Sequence, residues 1–350
     1  MPLLTTTIGA YPKPDCVPVP DWFRNEAGPD TPNPTKGYLE ALARMGKEAE
    51  ELFARGVKQV VDDQVEAGID VPTDGEVRRE NYIHYHCRHI EGIDFDTLTP
   101  KAVRGGTYTA ELPSITGAVK ARGHFLADDW KLAQSFTGRP VKITMPGPMT
   151  IADTTVDLHY EDEEKLGAAL AEALNSEVRA LAQAGCRWIQ IDEPVFARKP
   201  AQALAYGVEQ LNRCFHGVPD GVERVMHMCC GYPDGLDRED YPKAEREAYF
   251  DLAEAVDASV VDVVSLEDAH RHNDLTLLDR FKSTKVILGV VAIAKSRVEP
   301  VEEIRARLQA ALDHIEPERL IAAPDCGLGL LGRDLAREKL KNLCAAARGL

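Results

Sequence analysis

The sequence lacks long hydrophobic segments. No apolar run approaches the roughly 18 consecutive residues that a membrane-spanning helix needs. The first residues, Met1 to Thr7, also lack the charged start and apolar core of a signal peptide. These absences argue against a membrane partner and predict a cytoplasmic location.

Basic residues are in deficit as well. The chain has 41 Lys and Arg against 57 Asp and Glu, which gives a net charge of −16. A protein that binds nucleic acid needs a basic face to neutralise phosphates. The composition therefore argues against nucleic acid as a partner, and it does not indicate any other class of partner.

The cysteines do not show the dense spacing of a secreted disulfide framework. In a reducing compartment, scattered cysteines are free thiols or metal ligands. The chain has eight of them, at positions 16, 87, 186, 214, 229, 230, 326 and 344.

No Gly-x-Gly-x-x-Gly or P-loop motif opens a helix, which weakens a nucleotide-binding fold. Instead, short apolar segments alternate with helical segments, a pattern typical of parallel βα units. Eight such segments predict a single (β/α)₈ TIM-type barrel over residues 1–350, with an open doubly wound sheet as the alternative. The eight predicted strands are Leu3–Ile8, Ile69–Glu76, Val141–Met145, Trp188–Ile191, Val225–Cys229, Val260–Ser265, Val286–Val291 and Leu320–Ala323.

Two segments interrupt the alternation. Residues 12–36 are rich in proline and predict a long loop or arm. Residues 78–123, between the second and third predicted strands, predict an insertion arm with a helix near 79–91 and a strand at Ser114–Val119.

Polar side chains capable of acid–base or metal chemistry follow the predicted strands. In a (β/α)₈ barrel the carboxyl ends of all strands share one face, and active sites lie there. His227 and Cys229, two residues apart on one strand, point the same way. The residues at these strand ends are Glu76, Asp192, His227, Cys229, Glu267 and Cys326.

The candidate ligands form a soft set that favours zinc, with one nitrogen from His227 and two sulfurs from Cys229 and Cys326. Glu267 is a candidate fourth ligand that an incoming group could displace. Such a site suits a thiol substrate, because zinc lowers the pKa of a bound thiol and yields a nucleophile at neutral pH. A rival cluster, His84-Tyr-His86-Cys87-Arg-His89, has no second half elsewhere, and we expect it to line the mouth of the site.

Short motifs recur along nearly the whole chain: Thr7–Pro12, Asp74–Glu76, Pro146–Ile151, Ile189–Pro194, His227–Cys229, Ser265–Glu267 and Pro324–Leu328. Together they resemble the catalytic barrel of the cobalamin-independent methionine synthase family. The resemblance implies that zinc is held by His227, Cys229, Glu267 and Cys326. It also implies that the amino-acid end of a thiol, most simply homocysteine, is bound by Glu76, Asp192 and the backbone at Ile8, Gly9 and Ala10.

Three departures concern the methyl donor and the substrate carboxylate. The family's usual Ile-Gly-Ser reads Ile8-Gly9-Ala10 here, which removes a hydroxyl. Folate-using members carry a tryptophan platform near Thr154 and a proton-delivering histidine near Ala294. Their absence predicts methyl or alkyl transfer to a thiol without direct use of folate.

Two alternatives remain open from the sequence. One is an epoxide:thiol transferase of the coenzyme M type. The other is a zinc protein that receives methyl groups from a corrinoid protein partner. Glu76 and Asp192 favour an amino-acid thiol over a sulfonate thiol, because two carboxylates attract an ammonium group and repel an anion.

Overall fold

Strands account for the central layer of the protein. The structure, a computed structural model, describes residues 2–17, 23, 33–103, 108–233, 235–238 and 241–350. The loop predicted over 12–36 therefore lies largely outside the described residues. The strands are β1 (Leu4–Thr5), β2 (Ile90–Val103), β3 (Tyr108–Ala121), β4 (Lys142–Pro146), β5 (Val156–Asp157), β6 (Trp188–Asp192), β7 (Glu223–Met228), β8 (Val263–Leu266), β9 (Lys285–Val291) and β10 (Leu320–Pro324).

Seven of these strands form one parallel sheet in the order β1-β10-β9-β8-β7-β6-β4. Every neighbouring pair in it is parallel, so all carboxyl ends lie at the same edge. The strands are apolar because both faces are covered, as parallel sheets require. The predicted α/β fold with a parallel sheet is confirmed.

The predicted second strand, Ile69–Glu76, differs from expectation. It makes only two isolated parallel bridges, from Val71 to Thr6 and from Thr73 to Lys142. A side chain supplies the hydrogen bonds that a longer strand pairing would have given. The Gln64 amide accepts from Thr73 N–H at 3.0 Å and donates to Thr73 C=O at 2.9 Å.

Helices cover the outside of the sheet. Gly46, whose φ of +56° requires glycine or strain, separates the first two helices. The helices are α1 (Asn33–Met45), α2 (Glu48–Ala67), α3 (His84–Cys87), α4 (Leu126–Gln134), α5 (Pro148–Asp153), α6 (Glu163–Ala184), α7 (Pro194–Arg198), α8 (Pro200–Gln202), α9 (Val208–Cys214), α10 (Ala248–Asp257), α11 (Val301–Ala311) and α12 (Arg333–Arg348).

The helix predicted over 79–91 is wrong except for its centre, α3. The Asn81 side chain accepts from the backbone N–H groups of Ile83 and His84, both at 2.9 Å. It therefore starts the helix at this point rather than allowing one to run through from residue 79.

The remaining strands form a second sheet in the order β2-β3-β5. β2 and β3 are an antiparallel hairpin, and β3 pairs in parallel with β5. The strand predicted at Ser114–Val119 lies within β3. Ile115, fully buried on this strand, belongs to the main hydrophobic core.

None of the described helices combines the length and the apolarity that crossing a membrane would require. The longest of them, α6, begins at an Asp162 cap whose carboxylate accepts from the N–H groups of Glu164 and Lys165. It ends at Gly185, which has a φ of +109°. This is the start and stop chemistry expected of a surface helix.

We expect Gln64→Leu to lower the free energy of unfolding by about 2–4 kcal/mol, since each unsatisfied buried donor or acceptor costs about 1–3 kcal/mol. Gln64 is fully buried, so water cannot replace its bonds to Thr73. Urea unfolding followed by circular dichroism measures the change. Gln59→Leu, on the same helix but half-buried, is the control and should cost about 1 kcal/mol or less. Equal losses in the two variants would contradict this account of Gln64.

Candidate metal and substrate site

Three predicted metal ligands come together where β7 and β10 end. The ligand atoms of His227, Cys229 and Cys326 all lie within 4.8 Å of one another. His227 Nε2 lies 3.3 Å from Cys326 Sγ. A ring nitrogen and a sulfur sharing one zinc ion at ordinary bond lengths lie about 3.6 Å apart. The spacing therefore fits a shared metal.

The imidazole of His227 is oriented for this role. Its Nδ1 lies 3.0 Å from the Ser265 hydroxyl oxygen, on the neighbouring strand β8. Its Nε2 lies on the side of Cys326. Metal-binding histidines commonly use such a bond on the other ring nitrogen to fix the tautomer.

The two cysteines are coupled. The Cys326 thiol donates a hydrogen bond to the Cys229 sulfur, which lowers the pKa of Cys229 well below its ordinary value. The same bond raises the pKa of Cys326. The lowered pKa favours the thiolate of Cys229, which is the form that binds metal.

Glu267 lies beside this group but not within it. Its Oε2 accepts from Cys230 N–H at 3.1 Å, whereas its Oε1 is buried and has no hydrogen-bond partner among the residues that the structure describes. Burial raises the pKa of Glu267 well above its ordinary value, and the nearby charges of Asp325 and Cys229 add to this. An unpartnered buried oxygen fits a cation, and Glu267 as the fourth ligand stays a prediction.

A second acidic group gathers around Glu76. Its carboxylate accepts from the Thr144 hydroxyl at 2.8 Å and lies 3.3 Å from the Arg79 guanidinium. Glu76 has a φ of +56°, a strained value for a residue that is not glycine. The neighbouring Gly9 leaves room for it, since a Cβ there would lie 2.7 Å from Glu76 Oε1.

Asp192, the last residue of β6, lies beside His227 in the parallel register. Gln190 donates to Asp192 Oδ1 at 2.7 Å and to the Ile8 carbonyl at 2.9 Å. Burial raises the pKa of Asp192 to about 7. The Gln190 amide therefore links the Asp192 carboxylate to the Ile8 carbonyl by hydrogen bonds.

A cavity of about 150 Å³ opens onto the ligand cluster of His227, Cys229 and Cys326 and onto the acids Glu76 and Asp192. Glu267 does not line it, and neither does Ala294, which is buried. The remaining predicted residues contribute to its wall together with aromatic and charged side chains. Its lining includes Ile8, Gly9, Ala10, Phe23, Glu76, Thr154, Asp192, Arg198, His227, Cys229, Tyr232 and Cys326.

The sequence matches a known family along almost its full length. The family profile described as the catalytic domain of cobalamin-independent synthase covers residues 3–349. The chain belongs to the cobalamin-independent methionine synthase family. Homologues in this family are methionine synthases, so a methyltransferase activity is supported.

Individual relatives agree with the family assignment. The methionine synthase of Saccharolobus solfataricus is 32% identical over 348 residues, which is 98% of this chain and 93% of that protein. The methionine synthase of Pyrococcus furiosus is 30% identical over 356 residues, covering 100% of this chain and 94% of that protein.

Solved structures show the same fold. A B12-independent methionine synthase from Shewanella sp. W3-18-1, in complex with selenomethionine, is 28% identical with a TM-score of 0.86, and 99% of this chain and 97% of that one align. A methyltransferase from Methanosarcina mazei, at 14% identity and a TM-score of 0.61, covers 99% of this chain and 93% of that one and shows the fold alone.

The histidine-rich segment of this family member does not line the cavity. His84, His86 and Cys87 are buried in the core, and the neighbouring Tyr82 and Ile83 line the cavity instead. His86 Nδ1 donates to the Tyr82 carbonyl at 2.8 Å. Among the described residues, no metal-ligand group includes this segment.

The sequence analysis did not identify the residues that hydrogen-bond to, or pair with, the acidic side chains of the site. Thr144 and Gln190 point inward from mid-strand, a position that strand alternation alone could have identified. Arg79 falls in the irregular segment after Glu76 and gives no such signal. Asp325 stands directly before Cys326, and its hydrogen bonds could not be read from the sequence.

We expect the stability of the protein to fall between about pH 4 and pH 6 because of Asp129. Burial raises its pKa from 3.8 to about 6, although Arg78 lies 3.2 Å away and opposes the shift. The pKa of Asp129 is higher in the folded state than in the unfolded state. The stabilisation that protonated Asp129 contributes is therefore fully present below the unfolded-state pKa and is lost as the pH rises through about 6.

The matched variant is Asp129→Asn, which cannot ionise. Its free energy of unfolding relative to the wild type should rise by up to about 3 kcal/mol between pH 4 and 7. Urea unfolding at a series of pH values measures this difference. Parallel pH profiles for the two proteins would show that Asp129 does not titrate in this way.

Proposed function

We propose that this protein transfers a methyl or alkyl group to a thiol, with homocysteine as the substrate, at a zinc ion held by His227, Cys229, Cys326 and Glu267. The observation that carries the proposal is the convergence of one nitrogen and two sulfur ligands on a cavity with two buried carboxylates. We also infer a closed (β/α)₈ barrel, in which the segment 71–73 bridges β1 and β4.

Zinc, when bound, lowers the pKa of a thiol and so supplies a nucleophile at neutral pH. The chain's own residues bind and orient the substrate. Glu76 and Asp192 offer two carboxylates to its ammonium group, and the backbone at 8–10 lies on the same wall. The Gln190 and Thr144 bonds hold both carboxylates in place before the substrate arrives.

The comparison with the Shewanella protein supports an amino-acid substrate. That structure is described as a complex with selenomethionine, a seleno analogue of methionine. Transfer of a methyl group to homocysteine would form methionine in a comparable site. The buried acid pair in this chain fits the ammonium group that such an amino acid carries.

The donor we propose is not a folate. A folate nitrogen must be protonated before its methyl group becomes a good electrophile, and the pterin ring needs a platform. Thr154 lines the cavity but donates its hydroxyl to the Thr150 carbonyl at 2.9 Å. Near Ala294, His270 is engaged on both ring nitrogens, by Asp325 and by Ala294 N–H. Neither position offers a platform or a free acid.

We expect the purified protein to contain about one zinc ion per chain, since three ligands of the zinc type converge and Glu267 is the proposed fourth. Cys229→Ser and Cys326→Ser should each lose most of the metal. Cys344→Ser is the control, because Cys344 is buried, as Cys229 is, but lies on α12, outside the metal-ligand groups. Elemental analysis measures the content, and circular dichroism tests folding. Full zinc retention in both site variants would overturn the ligand assignment.

The substrate assignment predicts turnover with homocysteine rather than with coenzyme M. Each thiol would be offered methyltetrahydrofolate, methylcobalamin and a short epoxide, and we expect methylcobalamin to serve and the folate to be negligible. Glu76→Gln should raise the KM for homocysteine about 10–100-fold, the loss expected for one charged hydrogen bond. Reaction of coenzyme M with the epoxide would favour the epoxide transferase. Turnover only after addition of a methylated corrinoid protein would favour the partner-dependent form.

A further inference from the structure

Asp325 precedes Cys326, one of the predicted metal ligands. Its carboxylate binds the loop that follows Glu267, another predicted ligand. Its Oδ1 accepts from the backbone N–H groups of Asp268 at 2.9 Å and Ala269 at 2.8 Å. Its Oδ2 accepts from His270 twice, from the backbone N–H and from ring Nδ1, both at 2.7 Å. One fully buried carboxylate thus connects the loops after β8 and β10.

The connection extends to a third loop. Asp325 N–H donates to the Val291 carbonyl at 3.0 Å, and Ala294 N–H donates to His270 Nε2 at 3.3 Å. Both partners lie at or just after the end of β9. The loops after β8, β9 and β10 are therefore joined through Asp325 and His270.

A glycine on β9 makes room for this carboxylate. A Cβ at Gly289 would lie 2.3 Å from Asp325 Oδ1 and 2.7 Å from its Cα. Contacts this short do not occur, so any side chain at 289 would displace residue 325. Gly289 has no positive φ, so backbone strain does not require glycine at this position.

Glu267, His270 and Asp325 resemble a second metal site, because their ligand atoms lie within 4.8 Å of one another. The hydrogen bonds argue against it. Four donors occupy the Asp325 carboxylate, and His270 is engaged on both ring nitrogens. In the part of the chain that the structure describes, Glu267 Oε1 is the one carboxylate or ring atom of this group without a hydrogen-bond partner. The group is better explained as support for the neighbouring metal site.

We propose that Asp325, seated against Gly289, is a positioning residue that fixes the backbone of Glu267 relative to Cys326. This rests on the zinc site of the proposed function. The hydrogen bonds of Asp325 hold the main chain after Glu267. Among the described residues, the Glu267 carboxylate accepts one hydrogen bond, from Cys230 N–H. The backbone beside the ligand is thus held in place, and Glu267 Oε1, which has no hydrogen-bond partner among the described residues, is left for the metal.

The test is zinc affinity, measured by competition with a chromophoric chelator. Asp325→Asn and Gly289→Ala should each weaken zinc binding about 10-fold or more, the range found when groups supporting metal ligands are lost. His270→Gln, which removes one of the four bonds, should weaken it less. The matched control is Asp268→Asn, whose carboxylate is equally buried but binds Arg307 and Asn273 on the far side of the same loop.

A second readout separates positioning from general destabilisation. The rise in melting temperature on adding zinc should shrink in the Asp325 and Gly289 variants and persist in Asp268→Asn, even if that variant melts lower without metal. Zinc affinities within twofold of the wild type in the folded variants, Gly289→Ala and His270→Gln included, would overturn the proposal. Absence of zinc binding by the wild type would instead overturn the proposed function.

Discussion

The parallel register of the main sheet is the constraint on which the site depends. Asp192 pairs with His227 and His227 with Ser265, so residues distant in sequence reach one edge at the same height. Because parallel strands need helical crossovers, each strand end is followed by a loop that can carry one polar group. Cys229, Glu267 and Cys326 all occupy the first or second position after a strand.

Such a site concentrates carboxylates where water is scarce, and glycines on neighbouring segments accommodate them. Gly9 faces Glu76, Gly147 faces Glu193, and Gly289 faces Asp325, each too close for a Cβ. The acids then find their partners in backbone N–H groups and small hydroxyls. Glu193, for example, accepts from Met149 N–H at 2.9 Å and from the Thr150 hydroxyl at 2.8 Å.

The sequence was sufficient for features that follow from strand alternation. Seven of the eight predicted strands lie in the sheet, and His227, Cys229 and Cys326 come together, because apolar β-rich runs that end in polar residues place those residues at one edge of a parallel sheet. The sequence was insufficient where a side chain replaces backbone pairing. Gln64 substitutes for a strand neighbour at Thr73, and the Asn81 cap decides where α3 starts. Both depend on residues meeting in space, which periodicity does not encode.

Buried negative charge links the stability of this site to its ligands. Burial raises the pKa of Glu193 to about 8 and of Asp192 to about 7, and raises that of Glu76 and Glu267. When a carboxyl group whose pKa is raised by folding ionises, the free energy of unfolding falls. A cation at the ligand cluster and an ammonium group at the acid pair would each offset that decrease. The same burial that disfavours the ionised carboxylates therefore favours binding of the positively charged groups that the proposed reaction requires.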